Sequence, residues 1–179
     1  KIANTRQGII DYATCGKRSD FLDIYLGAKC RFFLCSDTGI SIVPELFRRP
    51  VVYVNWVPLQ RISTWTRNGL LIGKKLYLRD EKRYLTFHEI INSEFGGNPS
   101  SGLLEEKGVE LIDNTPEEIA DVAVEMDQRL NGTWETLAED EGLQRRFWDL
   151  FGPEKMRSPE LRIGAQFLRQ NVDLLNGPA

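Results

Sequence analysis

The feature that most constrains the fold is an alternation of apolar runs and helical patterns in the first 55 residues. Three short runs, at 9–13, 30–35 and 51–54, are mostly or wholly apolar. Such runs are typical of strands buried on both faces of a parallel sheet. Segments 19–27 and 40–47 between them carry apolar residues at helical spacing. This β-α-β-α-β order predicts a Rossmann-like α/β fold, a parallel sheet flanked by helices.

Two capping boxes predict helices further along the chain. Thr86 and Glu89 have the spacing in which a hydroxyl and a carboxylate satisfy the first backbone amides of a helix, and Thr115 and Glu118 have it again. The other predicted elements are an interrupted strand at 70–78, a loop at 96–102 and a strand at 109–112. The two capped helices are predicted at about 87–95 and at 116–131.

The C-terminal part of the chain predicts two more helices. One spans about 137–151, with Phe147 on its inward face. The other has Ser158 as its N-cap and Pro159 in its first position. Its predicted inward residues are Leu161, Ala165, Leu168 and Val172. We expect one domain over residues 1–179, with about 133–179 as a helical extension that packs back on the sheet.

The charge is distributed unevenly along the chain. Residues 1–90 hold 15 Lys and Arg against 8 Asp and Glu, a balance of +7, whereas residues 91–179 carry −10. An anionic ligand is therefore expected to meet the N-terminal half. The basic residues are dispersed and the sequence pI is about 5.4, which argues against a general nucleic-acid-binding protein. The chain contains no run of eighteen apolar residues, so no transmembrane segment is predicted.

Cysteine and histidine usage restricts the chemistry. Three cysteines and a single histidine argue against a disulfide framework and against a zinc site, and they favour a reducing, cytoplasmic environment. A Ser–His or Cys–His triad would have to use His88, and no nucleophile motif accompanies it. The first methionine is Met126, so we expect the chain to be a domain cut from a longer protein.

The turn after the second predicted strand is the best candidate for an anion site. In Ser36-Asp37-Thr38-Gly39, the amides of Thr38 and Gly39 would stand free at a helix start, and Gly39 permits close approach. Asp37 is predicted to cap the helix or to accept a hydrogen bond from a sugar hydroxyl. Helix capping alone also explains this motif. Neither a P-loop nor a G-x-G-x-x-G motif is present, and the aspartic-protease interpretation lacks a second Asp-Thr-Gly.

Further candidates follow the third predicted strand. Asn55 stands at its end, and four cations lie in or near the irregular stretch beyond it as possible diphosphate partners, namely Arg61, Arg67, Lys74 and Lys75. Tyr53, Trp56 and Trp65 are candidates for stacking on a base or a sugar. Solvated surface charge and core packing are the alternative interpretations of these two sets.

Five segments of the chain carry a resemblance to known proteins: SDFLDIYL at 19–26, CRFFLCSDTG at 30–39, RPVVYVNWVPL at 49–59, LIGKKL at 71–76 and LIDNTPEEI at 111–119. Together they resemble a family of bacterial glycosyltransferases found with surface-polysaccharide gene sets. The resemblance extends over residues 9–172. The core is also similar to the heptosyltransferase type of GT-B enzyme, in which an Asp-Ser-Gly turn opens a helix and a Pro-Val-Val strand follows. Asp37 and Pro50 have a similar separation here.

The resemblance implies that this chain is the donor-binding half of a GT-B fold. In that case Ser36, Asp37, Thr38 and Gly39 face the diphosphate and sugar of a nucleotide-sugar. The histidine of the heptosyltransferase helix is missing, and Ile42 stands near its expected place. Donor details are therefore not carried over. The resemblance further implies that the N-terminal, acceptor-binding half, which usually supplies the catalytic base, is not part of this chain. GT-B enzymes usually need no metal, and no other cofactor is expected.

The implied reaction is transfer of a sugar from a nucleotide-sugar to a surface polysaccharide or other glycan. The amides of Thr38 and Gly39, helped by Lys74 or Lys75, would stabilise the leaving diphosphate. The expected location is cytoplasmic or peripheral at the inner membrane. Two alternatives remain open: a sugar-nucleotide epimerase that uses His88 or Asp11 as acid or base, and a non-catalytic module that binds a partner or a glycan.

Overall fold

The computed structural model describes residues 8–62, 65–152 and 160–176. The helices are α1 (Asp20–Lys29), α2 (Ile42–Leu46), α3 (Phe87–Ile91), α4 (Ser101–Glu106), α5 (Pro116–Asn131), α6 (Ala138–Asp149) and α7 (Ala165–Gln170). The strands are β1 (Phe33–Cys35), β2 (Val51–Trp56), β3 (Gly69–Gly73), β4 (Lys75–Leu78), β5 (Arg83–Tyr84), β6 (Val109–Ile112) and β7 (Leu161–Ile163). Short 3₁₀ turns occupy Gly39–Ser41, Leu59–Arg61 and Val172–Leu175.

Four parallel strands form the main sheet in the order β1-β2-β3-β7. The α/β, Rossmann-like class predicted from the sequence is thereby confirmed. The central strands β2 and β3 are almost completely buried, as their continuous apolar runs require. Helix α5 packs against both of them. A second, antiparallel sheet has the order β5-β4-β6 and continues the chain directly from β3.

An aromatic cluster joins the C-terminal helices to the rest of the core. The Phe147 ring on α6 meets the Phe87 ring on α3 edge to face, with 5.3 Å between their centroids. The Phe167 ring on α7 is 6.4 Å from the same Phe87 ring. The predicted inward orientation of Phe147 is confirmed, because this side chain is buried.

The predicted helix starts agree with the structure. The Ser19 hydroxyl accepts a hydrogen bond from the Leu22 amide and caps α1. Both capping boxes are formed, by Thr86 with Glu89 on α3 and by Thr115 with Glu118 on α5. Helix α5 ends as predicted at Gly132, whose left-handed backbone (φ 71°) terminates the helix.

The predicted first strand is wrong. Residues 9–11 form no regular element, and residues 12–14 form a turn. The Tyr12 hydroxyl donates a hydrogen bond to Asp23 Oδ1 (2.7 Å) and accepts one from the Ser19 amide (3.2 Å). The segment is therefore tied to the start of α1, and β1 is left as the edge of the described sheet. The prediction that the run at 30–35 is buried on both faces is wrong for the same reason, because Leu34 is exposed and its two neighbours in β1 are half-buried.

The predicted interrupted strand at 70–78 is two strands in two different sheets. β3 belongs to the parallel sheet and β4 to the antiparallel one, and Lys74 makes the transition between them. Two other boundaries also differ. Helix α3 ends at Ile91 instead of near residue 95, and α4 begins at Ser101 within the predicted loop, because the Ser100 hydroxyl caps it.

The predicted last helix is partly a strand. Leu161-Arg162-Ile163 forms β7, which pairs in parallel with β3, and the helix begins only at Ala165. The alternation of buried, half-buried and buried side chains is the strand period of two. The proposed cap, Ser158 with Pro159, lies outside the described residues. The C-terminal extension therefore supplies the fourth strand of the main sheet as well as helices.

Candidate functional site

The carboxyl ends of the parallel strands lead into the residues that the sequence analysis selected. β1 leads into the turn at Ser36, β2 ends beside Asn55, and β3 leads into Lys74. Strand order follows chain order across the sheet, so the described strands contain no reversal that would by itself mark a binding crevice. The site must therefore be located from the cavities at this edge.

A cavity of about 190 Å³ lies beside the turn that follows β1. We call it the carboxyl-end cavity. Its polar lining combines two carboxylates, two hydroxyls, a guanidinium and an exposed indole. The lining residues are Asp37, Ser41, Ile42, Glu45, Tyr53, Trp56, Arg61 and Trp65.

Of the predicted anion-binding turn, Asp37 lines this cavity, whereas Ser36, Thr38 and Gly39 do not; the turn is open to solvent. Ser36, Asp37, Thr38 and Gly39 are all exposed. Thr38 stands at the N-cap position, but its side chain makes no capping hydrogen bond. The backbone amides of Thr38, Gly39 and Ile40 donate no hydrogen bond to any described residue. The prediction that Asp37 caps the helix is wrong, because no amide of this turn donates a hydrogen bond to its carboxylate.

Gly39 has no steric need to be glycine within the fold. A Cβ built on it meets no atom within 4 Å, and its φ is not in the left-handed region. A side chain at this position would extend into open space over the turn. A ligand on the turn amides would meet that side chain, whereas the fold would not.

Glu45 is the polar centre of the cavity wall, and sequence reasoning missed it. Its Oε1 accepts hydrogen bonds from the Thr66 hydroxyl (2.6 Å) and the Tyr53 hydroxyl (2.9 Å), and its Oε2 accepts one from Trp65 Nε1 (3.0 Å). Burial, followed by the hydrogen bond to Glu45, raises the Tyr53 pKa, so this phenol stays protonated. The donors come from two other segments of the chain, so no local pattern would have revealed Glu45.

The three stacking candidates are in different environments. Trp56 is buried and donates its indole N–H to the Pro58 carbonyl (3.1 Å), and its ring packs edge to face with Tyr53. Both of these rings belong to the packed wall. Trp65 instead is 66% exposed, while Glu45 orients its indole N–H. Of the three, Trp65 is the most exposed ring and the one that a ligand could contact from solvent.

Asn55 and Lys75 belong to a hydrogen-bonded cluster on the α5 side of the same edge. Asn55 and Asn114 each donate a backbone amide to the other's side-chain oxygen, at 2.6 Å in both cases. The Asn114 side chain also donates to the Gly73 carbonyl (2.9 Å). Glu118 Oε1 lies 2.9 Å from Lys75 Nζ. This asparagine cluster fastens the ends of β2 and β3 to the start of α5.

The predicted cations therefore divide into two groups. The Lys75 ammonium is paired with Glu118, and the Lys74 ammonium is paired with Asp113 at 2.6 Å. Neither lysine lines the carboxyl-end cavity. Arg61 does line it, and among the described residues its guanidinium has no ion pair. Arg61 is the cation that the structure brings next to the turn.

A second concave surface shares part of its wall with the carboxyl-end cavity. We call it the arginine groove; its volume is about 290 Å³. It shares Ile42, Glu45 and Trp65 with the carboxyl-end cavity, and it adds one aliphatic and three guanidinium side chains. These additional residues are Leu46, Arg48, Arg49 and Arg67. Of the four, the sequence analysis selected only Arg67.

Candidate acids, bases and nucleophiles lie elsewhere or are inactive. His88 is half-buried on α3, and Asp11 accepts a hydrogen bond from the Thr14 hydroxyl (2.6 Å); neither lines the carboxyl-end cavity. Burial, together with Glu45 and Asp37, raises the pKa of the Cys35 thiol to about 12, so this sulfur is a poor nucleophile near neutral pH. All three cysteines are free thiols.

The part of the chain that the structure describes holds no group of three or more His, Cys, Asp or Glu side chains placed to bind a metal ion. Within the same residues, no helix has both the length and the apolar character needed to cross a membrane. Comparison with protein-family models, with curated proteins and with solved structures finds no match to this chain.

Proposed function

We propose that this chain binds a nucleotide-sugar at the carboxyl-end cavity and is the donor-binding part of a glycosyltransferase. The observation that carries the proposal is the open turn beside the cavity, where the amides of Thr38, Gly39 and Ile40 have no acceptor among the described residues. Backbone amides without protein partners are good donors to phosphate oxygens.

The lining of the cavity suits the other parts of such a ligand. Arg61 supplies positive charge for a diphosphate, and the exposed Trp65 ring offers a face for a sugar or a base. Asp37 would repel a phosphate but accepts hydrogen bonds from sugar hydroxyls. We therefore place the diphosphate at the turn amides with Arg61, in preference to Lys74 and Lys75, whose charges are already paired.

The proposed chemistry is displacement at the anomeric carbon of the donor. The acceptor oxygen forms a bond to that carbon while the bond to the diphosphate oxygen breaks and its electron pair leaves with the phosphate. The turn amides and Arg61 stabilise the negative charge that develops on this oxygen. The base that takes the acceptor proton is expected from an acceptor-binding half outside this chain. The epimerase alternative has no such support, because His88 and Asp11 do not line the cavity.

Gly39→Val tests the proposed site. We expect the variant to fold normally, because a Cβ here meets no atom within 4 Å. It should weaken binding of the preferred nucleotide by about tenfold or more, since one or two amide hydrogen bonds become inaccessible. The measurement is calorimetric titration of both proteins with UDP, GDP and CMP.

Gly102→Val is the matched control, because a Cβ at Gly102 also has room and this glycine belongs to α4 instead of the turn after β1. It should leave the affinity unchanged. A folded Gly39→Val protein with the affinity of the unmodified chain would reject the turn as the site. If the unmodified chain binds all three nucleotides equally weakly or not at all, the chain is better described as a partner-binding or glycan-binding module.

A further inference from the structure

The arginine groove holds three guanidinium groups that the proposed function does not use. Arg48 and Arg49 come from the connection between α2 and β2, and Arg67 comes from the connection between β2 and β3. Two separate segments thus bring three guanidinium groups to one groove. The acidic side chain in its lining is Glu45, whose two oxygens already accept three hydrogen bonds. The groove therefore has an excess of positive charge.

These guanidinium groups are largely free of protein partners. Among the described residues, Arg48 and Arg67 make no ion pair and no side-chain hydrogen bond. Arg49 donates its Nε–H to the Ala28 carbonyl (2.8 Å), which fixes the direction of the side chain and leaves its terminal nitrogens available. Neighbouring cations repel one another, so an anion between them would be favourable. Planar guanidinium groups bind phosphate oxygens in pairs of parallel hydrogen bonds.

The rim of the groove is apolar. Leu46 is 73% exposed and Trp65 is 66% exposed, and Ile42 lies beside them. These side chains would gain from contact with carbon atoms next to the bound anion. A bare inorganic anion would leave them in water. The combination favours a phosphate group that is attached to an organic body.

We propose that the arginine groove binds a phosphate group carried on an organic molecule, with the guanidinium groups on the phosphate and Trp65 and Leu46 against the attached carbon framework. This site adjoins the carboxyl-end cavity through the shared residues Glu45 and Trp65, and it does not depend on the transferase proposal. The phosphate can come from a small soluble monoester or from a lipid headgroup, and the experiment separates these two sources.

The test uses a double variant of the whole chain, Arg48→Asn with Arg67→Gln. Asparagine suits position 48 because Arg48 has a left-handed backbone (φ 56°), which asparagine tolerates well. In one arm, phenyl phosphate is titrated by calorimetry. In the other, co-sedimentation is measured with phosphatidylglycerol vesicles and with phosphatidylcholine vesicles. We expect the unmodified chain to bind in at least one arm and the double variant to bind about tenfold or more weakly, the equivalent of one lost charge-assisted hydrogen bond.

The control is Arg79→Gln with Arg145→Gln, which removes the same charge from exposed positions outside the groove. Binding of phenyl phosphate would identify a small monoester, and binding to phosphatidylglycerol vesicles alone would identify a lipid headgroup. Absence of binding in both arms, or equal losses in the groove variant and the control, would overturn the proposal. Gly39→Val should leave phenyl phosphate binding unchanged, so the failure of one proposed site is distinguishable from the failure of the other.

Discussion

Glu118→Gln should lower the free energy of unfolding by about 3 kcal/mol, because it removes the charge partner of a mostly buried lysine. The Lys75 side chain is 14% exposed and the Glu118 side chain 6%. Glutamine keeps an oxygen that can accept the capping hydrogen bond from Thr115, so the change isolates the ion pair. The measurement is urea denaturation at pH 7, and Glu117→Gln, an exposed change in the same helical turn, should cost less than about 1 kcal/mol.

The stability lost in the Glu118→Gln protein should also depend on pH. Burial raises the Glu118 pKa, but the hydrogen bonds from Lys75 and Thr115 outweigh it, and the net pKa in the folded protein is lowered. Glu118 therefore contributes stability that is present above the ordinary carboxyl pKa and is lost as the pH falls through the folded-state value. The difference in free energy of unfolding between the unmodified chain and the Glu118→Gln protein should therefore shrink in acid. If the Glu118→Gln protein were as stable as the Glu117→Gln protein at pH 7, the Lys75–Glu118 ion pair would contribute little to stability. Lys75 would then again be a candidate for ligand binding.

Phe147→Ala should destabilise the chain by about 4 kcal/mol, near the upper end for a core substitution. The Phe147 side chain is 1% exposed, and its ring meets the rings of Phe87, Trp148 and Phe151 at centroid distances of 5.3, 5.3 and 5.6 Å. The cavity left behind would separate α6 from α3. Thermal and urea denaturation both measure the loss.

Val172→Ala is the control: this side chain lies in the same C-terminal region but is exposed, not inward as predicted, and the change should alter stability by less than about 1 kcal/mol. If Phe147→Ala were equally mild, the C-terminal region would be an appendage on an independently stable sheet. A large loss would mean that this region and the sheet fold as one unit, as the position of β7 beside β3 requires.

Elements that are marked by residues within one helical turn or one strand could be predicted from the sequence. Capping residues act within one helical turn, so Ser19, Thr86 and Thr115 could be read directly and are confirmed. The run at 51–54 was long and apolar enough to identify a buried central strand. The fold class was predicted from the order of elements in the first 55 residues, in which α1, β1, α2 and β2 are confirmed and the strand at 9–13 is wrong.

Other features depend on partners that are distant in the chain. Leu161 and Ile163 make a strand because β3 offers them a free edge, and three residues are too few for a periodicity to distinguish a strand from a helix. Residues 9–13 look like a strand but are held by Tyr12 against α1. The same limit explains the candidate site. Open amides at a turn can be anticipated from local spacing, whereas the pairing of Lys75 with Glu118 spans 43 residues.

The central claim is that the turn after β1 presents its amides to a nucleotide ligand. Amide chemical shifts in a ¹H–¹⁵N correlation spectrum, recorded while UDP, GDP or CMP is added, test it most directly. The largest saturable shifts should belong to Thr38, Gly39 and Ile40, with the Trp65 indole N–H moving at the same ligand concentrations. Saturable shifts confined to other parts of the chain, or spectra that none of the three nucleotides alters, would contradict the claim.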